Sequence, residues 1–278
     1  MWMLPAARGR FNATPRAGGR PRLIYSPAVQ LRRLLGHVLD FCYPGICANC
    51  EAASGSGAVL CGDCIVKLDA MTAAAACDHC AMPLASDGAP CPYCLGKGIP
   101  HFDKIIRLGI FDDPLKHLVH QMKYHKRWAM GEYLAERLAE TERAKGLLTE
   151  TDVLVPVPLH FKRHLSRGYN QADVIARKIG AGRRSIKVVH ALRRTRDTET
   201  QTHIKSQQKR VENVRDAFVL RRTAKHIRGK HVILVDDVMT SGATLQSAAR
   251  TLEAAKPASL CAIVLAIADK KGRGFEVI

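Results

Sequence analysis

Four Cys-x-x-Cys pairs between residues 47 and 94 constrain the fold of this 278-residue chain more than any other feature. The pairs recur with a shift of 30 residues, so the segment reads as two copies of C-x2-C-x10-C-x2-C. Each Cys-x-x-Cys turn presents two thiolates to one ion, and zinc prefers four such ligands in a tetrahedron. Four thiolates per ion leave no coordination position for a catalytic water, so we predict two structural Zn2+ sites. Their predicted ligands are Cys47, Cys50, Cys61, Cys64, Cys77, Cys80, Cys91 and Cys94.

The spacing leaves open which pairs share an ion. Sequential pairing gives two zinc ribbons in tandem, whereas joining pair one to three and two to four gives a cross-braced module. The repeat favours the tandem, because each duplicated unit is then self-contained. Disulfides are the competing interpretation. A chain without a secretory signal is expected in the reducing cytoplasm, where thiols bind metal more readily than they pair.

The positive charge of the chain is unevenly distributed. The net charge is +18, of which residues 1–39 contribute +7, residues 40–100 contribute −4 and residues 101–278 contribute +15. A basic field of this kind favours polyanions, meaning nucleic acid or phosphorylated small molecules. No apolar run reaches the roughly 18 to 20 residues that cross a bilayer, so no membrane span is predicted.

These composition shifts divide the chain into three parts. Residues 1–30 are predicted to be a disordered basic tail, although an arginine-rich, acid-poor start is also typical of organelle transit peptides. Residues 31–100 form the predicted double zinc-ribbon module. Residues 101–278 form the larger domain.

Strand-like and helix-like segments alternate in the larger domain. Apolar runs at 152–158, 231–235 and 260–268 are separated by helical patterns such as 114–143 and 170–180. Continuous apolar runs are typical of strands buried on both faces. The pattern therefore predicts an α/β fold with a mostly parallel sheet.

The stretch "VILVDDVMTSGATL" at 232–245 predicts a ligand site. Ligands of parallel sheets bind beyond the carboxyl ends of strands, and Asp236 and Asp237 follow such a run. Backbone amides and hydroxyls in the next loop suit a phosphate, while paired carboxylates suit vicinal hydroxyls or Mg2+. An Asp pair can also cap a helix, but a sugar with a diol and a phosphate satisfies the whole arrangement. The predicted phosphate loop is Thr240, Ser241, Gly242, Ala243 and Thr244.

This stretch resembles the phosphoribosyl pyrophosphate (PRPP) motif of type I phosphoribosyltransferases. With the cysteine pairs, "HQMKYHKRW" (120–128), "VPVPLHFKRHLSRGYNQADVIA" (155–176) and "RTRDTETQTHIKSQQKRVENVRDAF" (194–218), it resembles the ComF family of bacterial competence-type proteins over about residues 40–269. The resemblance implies a type I phosphoribosyltransferase-like sheet behind an N-terminal double zinc ribbon. It also implies PRPP with Mg2+, Asp236 and Asp237 at the ribose 2′ and 3′ hydroxyls, and residues 240–244 at the 5′-phosphate.

The same resemblance implies a pyrophosphate site in the turn after "VPVP". Lys162, Arg163 and Arg167 match that segment and carry the required charge, although a solvated basic turn is the alternative. The family usually has Arg-Gly-Phe-Asn-Gln at 167–171, and this chain has Tyr169 in place of the phenylalanine. We regard this as a mild departure.

Two basic segments are candidates for nucleic-acid contact. Residues 193–215 are polar, basic and free of aromatic residues, and are interpreted as a loop that closes over PRPP or as a track for a nucleic-acid backbone. Base stacking would then come from Tyr124, Trp128 or Tyr169, although aromatics at helical spacing are more often core. The predicted nucleic-acid contacts beside two of these aromatics are Lys123, Lys126 and Arg127.

Two functions follow from these observations. One is a binding protein for PRPP and single-stranded DNA that supports DNA uptake and natural transformation, with DNA-uptake or recombination proteins as partners. The alternative is an active type I phosphoribosyltransferase of nucleobase or nucleotide salvage, with Asp236 and Asp237 in its catalytic site. No general base or base-specificity pocket is recognisable, so the sequence names no acceptor.

Overall fold

The structure is a computed structural model that describes residues 45–55, 57–125, 127–196 and 217–268. Five sequence predictions lie wholly or partly outside these ranges. They are the basic tail at 1–30, residues 31–44 of the zinc-ribbon module, the nucleic-acid contact Lys126, residues 197–215 of the basic segment, and residues 269–278 of the larger domain.

Strands and helices alternate through the larger domain, as the apolar periodicity predicts. The described strands are β1 (Gly45–Ile46), β2 (Ala53–Ser54), β3 (Ile105–Ile110), β4 (Val153–Pro156), β5 (Lys187–Val188), β6 (Leu192–Arg194), β7 (Phe218–Leu220), β8 (His231–Met239) and β9 (Ser259–Ile267). The described α-helices are α1 (Gly62–Ala73), α2 (Leu115–Tyr124), α3 (Trp128–Ala139), α4 (Glu142–Thr149), α5 (Phe161–Arg167), α6 (Gln171–Gly180) and α7 (Ala243–Glu253).

A five-stranded sheet in the order β3-β9-β8-β4-β5 forms the centre of the larger domain, and each neighbouring pair in it is parallel. Helices α2, α3 and α6 pack on one face of this sheet, and α7 packs on the other. Because both faces are covered, β8 and β9 bury nearly continuous apolar runs. The predicted α/β fold with a mostly parallel sheet is confirmed.

The eight pattern cysteines form two separate clusters. Cys47, Cys50, Cys61 and Cys64 make one and Cys77, Cys80, Cys91 and Cys94 make the other, with the Sγ atoms of each cluster within 4.8 Å of one another. Four thiolates around a tetrahedral Zn2+ lie about 3.8 Å apart. The Sγ–Sγ distances of 3.6 Å for Cys50–Cys61, 3.7 Å for Cys77–Cys94 and 3.6 Å for Cys80–Cys91 fit this geometry. The donor sets therefore suit structural zinc, and the tandem pairing is the one adopted.

The two ribbons pack on opposite faces of the sheet edge. Cysteines of the second ribbon share a core with Ile105, whereas those of the first share a core with Ile106 and Leu108. All residues of strand β3 except Ile110 are buried, because the ribbons cover both faces of this edge strand. The division at residue 100 stays a prediction, since ribbon and sheet residues share cores across it.

A glycine permits the close approach of α1 to the edge strand. A Cβ added at Gly109 would lie 3.0 Å from Leu115 Cδ2 and 3.3 Å from Met71 Cβ. Both distances are shorter than an ordinary van der Waals contact, so a larger residue would push the first ribbon away from the sheet. None of the described helices is long and apolar enough to cross a membrane.

Metal analysis should give two Zn2+ per chain, and Cys50→Ser and Cys80→Ser should each reduce this to about one. Since Cys80 is fully buried in a core shared with the sheet and Cys50 is exposed, Cys80→Ser should cause the larger loss of unfolding free energy, on the order of several kcal/mol. Mass spectrometry and urea unfolding measure the two effects. Cys261→Ala is the matched control, because this buried cysteine of β9 lies outside both clusters and should leave two ions bound.

Candidate functional site

The paired carboxylates lie where strand β8 loses one of its two neighbours. Strand β4 pairs with β8 only as far as Pro156 opposite Val235, whereas β9 continues as far as Ile267 opposite Met239. The strand was predicted to end before the aspartates, but pairing with β9 keeps it extended through them. This produces an opening beside β8 at the carboxyl edge of the sheet, the usual position of ligand sites in such folds.

Asp236 has an unusually basic carboxyl group. Its Oδ1 accepts a hydrogen bond of 2.8 Å from the backbone N–H of Asp237. Burial and the neighbouring charge of Asp237 raise the pKa of Asp236 to about 7, although Lys123 and Arg194 partly offset the rise. The group therefore changes its protonation state near neutral pH.

Asp237 is held by a lysine from a distant part of the chain. Lys123, in the last turn of α2, lies with its Nζ 3.0 Å from Asp237 Oδ1. Their side chains are only 16% and 13% exposed, so the pair is largely shielded from solvent. Lys123 is a predicted nucleic-acid contact, and the structure places its ammonium group beside the Asp pair.

The predicted phosphate loop leads into α7 with open hydrogen-bond donors. Gly242 has φ +75°, a left-handed conformation that glycine adopts without strain, and α7 begins at the next residue, Ala243. No side chain caps this helix and its first turn contains no acidic residue. The hydroxyl of Ser241 is buried and lacks a hydrogen-bond partner. Thr240 and Thr244 lie on either side of these residues and are partly exposed. The loop therefore offers the amides and hydroxyls that an anion requires.

The Arg167–Gln171 segment is fixed beside the same opening. Tyr169 donates its hydroxyl hydrogen to the backbone carbonyl of Met122, the residue before Lys123. Asn170 caps α6 by accepting from Ala172 N at 3.2 Å, and its Nδ2 donates to Val157 O at 3.0 Å. These contacts connect the segment to α2 and to the end of β4.

The three predicted pyrophosphate contacts lie on or at the end of α5, which follows β4. Lys162 is exposed, and Arg163 and Arg167 are partly exposed one turn apart. The guanidinium of Arg167 lies 5.6 Å from the ring centroid of Tyr124 and donates to Gln171 Oε1 at 3.2 Å. Since Tyr124 adjoins Lys123, Arg167 lies at the same edge of the opening as the Asp237 ion pair.

An open aromatic surface extends from this edge. Tyr124 and Trp128 are 60% and 55% exposed, so the interpretation of these two side chains as core residues is wrong. Tyr169 is half-buried. Arg127 lies between Tyr124 and Trp128 in sequence. Its exposed guanidinium donates a hydrogen bond of 2.8 Å to Gln121 Oε1. We refer to Tyr124, Arg127 and Trp128 as the aromatic patch.

Arg194 is a second cation near the Asp pair, and it was not predicted from the sequence. Strand β6 pairs antiparallel with β7, so Arg193 and Arg194 belong to a strand and not to the long loop. Arg194 lies 5.5 Å from the ring centroid of Phe218, and its charge lowers the pKa of Asp236. The alternation of "ALRR" is too short a signal to identify this strand.

Comparisons with known proteins agree with this architecture. The family model of the phosphoribosyl transferase domain matches residues 133–277, and that of the double zinc ribbon domain matches residues 38–95. DNA utilization protein YhgH of Escherichia coli O6:H1 is 31% identical over 75% of this chain and 91% of its own length.

Two competence proteins are also similar. Competence protein F of Haemophilus influenzae is 29% identical over 63% of this chain and 77% of its own length. Competence protein ComFC of Bacillus subtilis is 33% identical over 41% of this chain and 43% of its own length. The chain therefore belongs to the ComF family, in which a double zinc ribbon precedes a phosphoribosyltransferase domain.

Proposed function

We propose that the protein binds PRPP with Mg2+ at the Asp236–Asp237 site and handles single-stranded DNA beside it, in support of DNA uptake and natural transformation. The observation that carries the first part is the pairing of two shielded carboxylates with an uncapped helix N-terminus and the buried, unpartnered Ser241 hydroxyl. The names of the relatives, DNA utilization protein and competence protein, support the second part.

Each part of PRPP has a chemically matched group. The carboxylates accept hydrogen bonds from the ribose 2′ and 3′ hydroxyls, and the α7 amides and Ser241 donate to the 5′-phosphate. Arg167, with Lys162 and Arg163, supplies positive charge for the pyrophosphate. Carboxylate oxygens also suit Mg2+, which would offset the charge of the pyrophosphate when bound. Lys123 must then exchange Asp237 for another partner, because the ribose hydroxyls compete for the same oxygen atoms.

The aromatic patch supports contact with single-stranded DNA. Exposed aromatic rings stack on bases without regard to sequence, and neighbouring cations attract the backbone. Tyr124 and Trp128 expose their rings, and Arg127 lies between them in sequence. The net charge of +18 adds a general attraction for polyanions. DNA-uptake or recombination proteins are the partners that such a role implies.

An active phosphoribosyltransferase is the second candidate, and one observation favours it. The pKa of Asp236, raised to about 7, suits a group that takes a proton during a reaction near neutral pH. Pyrophosphate release from PRPP, measured with each nucleobase in turn as acceptor, separates this candidate from a protein that only binds.

The Asp236→Asn/Asp237→Asn double variant should bind Mg2+–PRPP at least about 100-fold more weakly than the parent, because two charge-assisted hydrogen-bond acceptors are lost. Isothermal titration calorimetry measures this difference. Asp152→Asn is the matched control, since its carboxylate accepts from His231 N at 2.9 Å at the opposite end of β8 and should not affect PRPP. Equal affinity of the parent and the double variant would contradict the site.

The pH dependence of stability should be opposite for these two ends of β8. The pKa of Asp236 is raised from its ordinary 3.8, so the unfolded state loses this proton first and the folded state is progressively destabilised between about pH 4 and 7. At pH 8 the free energy of unfolding of Asp236→Asn should therefore exceed that of the parent by about 1 to 3 kcal/mol. This difference, measured by urea unfolding, should shrink towards pH 4.

Asp152→Asn should have the reverse effect. A hydrogen bond from the backbone of His231 lowers the pKa of Asp152, so its carboxylate stabilises the fold above its ordinary pKa and loses this effect on acidification. The variant should be less stable than the parent at pH 8 and similar to it in acid.

The contradicting result for Asp236→Asn is a gain in unfolding free energy that is the same at pH 4 and pH 8. It would show that the carboxyl group of Asp236 has its ordinary pKa.

Tyr124→Ala and Trp128→Ala should each weaken binding of labelled oligo(dT) about tenfold, since stacking contributes roughly 1 to 3 kcal/mol per base. Arg127→Ala should weaken it less and reduce the slope of affinity against salt. Fluorescence anisotropy at several salt concentrations measures both effects. Lys145→Ala on α4, which removes an exposed charge paired with Glu142, should leave binding unchanged. If none of the three substitutions in the aromatic patch changes DNA affinity, the DNA binds elsewhere.

A further inference from the structure

A cavity of about 560 Å3 lies at the end of the sheet opposite the Asp pair. It is lined by the second zinc ribbon, by α4, and by the amino ends of β3, β8 and β9. Its walls include Cys77, Arg107, Arg143, His231 and Ser259. The volume is in the range of sites for small-molecule ligands.

One wall of this cavity holds a buried arginine with unused hydrogen-bond donors. Arg107 is in the middle of β3 and is 7% exposed. Its Nε donates to the backbone carbonyl of Ala81 at 2.7 Å, next to the zinc ligand Cys80. Nη1 and Nη2 are buried and have no hydrogen-bond partner. Within the described ranges, Arg107 forms no ion pair.

An unpaired guanidinium at such a position is energetically costly. Burial and the nearby charge of Arg143 lower the pKa of Arg107 to about 10, so the group remains charged at neutral pH. A buried charge without a counter-charge or hydrogen-bond partners destabilises a fold unless a ligand supplies them. Because Nε is already occupied, the two terminal nitrogens offer a fork that fits two oxygens of one anion.

The acidic residues on the cavity walls do not neutralise this charge. Glu142 pairs with Lys145 at 2.7 Å, and Asp103 accepts from the backbone N–H of Leu260 at 3.1 Å. Asp78 and Glu150 are exposed at the rim. Arg143 contacts Asp87 at 2.6 Å and lies 3.9 Å from Asp78, so it is partly neutralised and marks the mouth of the cavity.

We propose that this cavity is a second anion site, which binds the phosphate or carboxylate group of a small molecule on Nη1 and Nη2 of Arg107. The site is separate from the PRPP site and lies between the second zinc ribbon and the sheet. Its ligand therefore connects the ribbon, through the Ala81 carbonyl and Arg107, to the edge strand of the phosphoribosyltransferase domain.

The test is titration of the full chain with inorganic phosphate and, separately, with malonate. Calorimetry should show two phosphate sites in the parent, one at the loop of residues 240–244 and one at Arg107. Arg107→Met keeps an unbranched side chain that suits an apolar wall but removes the guanidinium, and it should lose one site or weaken it at least about tenfold. A Thr240→Ala/Ser241→Ala/Thr244→Ala variant should lose the other site and retain the one at Arg107.

The malonate arm identifies the ligand group. If malonate binds the parent but not Arg107→Met, the cavity accepts carboxylates as well as phosphate. If only phosphate binds at Arg107, the ligand is a phosphate ester. If Arg107→Met is poorly folded, the 15Nε–1Hε signal of Arg107 in the labelled parent, together with Arg143→Ala at the exposed mouth, provides the same test. Anion binding that is identical in the parent and both arginine variants, with no shift of that signal, would mean that the cavity holds only water.

Discussion

Two adjacent carboxylates on a largely buried strand are the electrostatic constraint around which the site is built. Charge on one aspartate opposes charge on the next, and burial opposes both. Cations from two other segments partly offset this repulsion. They are Lys123 at the end of α2 and Arg194 in strand β6. Lys123 and Arg194 therefore link α2 and the β6–β7 sheet electrostatically to β8. Such an arrangement costs folding free energy, as polar functional sites commonly do.

The zinc ribbons stabilise the edge of the sheet that supports this site. Strand β3 would otherwise present an open row of backbone groups and two half-covered faces. One ribbon covers each face, and the buried cysteines belong to the same apolar cores as the strands. The duplication that is visible in the sequence thus corresponds to two faces of one strand. The zinc-ribbon module therefore contributes packing to the edge of the phosphoribosyltransferase sheet.

Contiguous features were predictable from the sequence, and features that depend on packing were not. The cysteine spacing predicts both metal clusters, and a nine-residue apolar run predicts β9, because the signal lies within one segment. The partnership of Lys123 with Asp237 depends on where α2 packs, so its position beside Tyr124 and Arg127 suggested a different role. Arg107 in "IIRLGI" reads as the polar side of a half-buried strand, and only the ribbon that covers it makes the residue buried. The exposure of Tyr124 and Trp128 likewise depends on which face of the helices meets the sheet.

A crystal structure of the protein with PRPP and Mg2+ is the most direct test of the proposed site. We expect the ribose 2′ and 3′ hydroxyls within hydrogen-bond distance of Asp236 and Asp237, and the 5′-phosphate on the α7 amides and Ser241. We also expect Lys123 Nζ to leave Asp237. Density for PRPP at another place, with the Lys123–Asp237 ion pair intact and Ser241 still unpartnered, would contradict the proposed site.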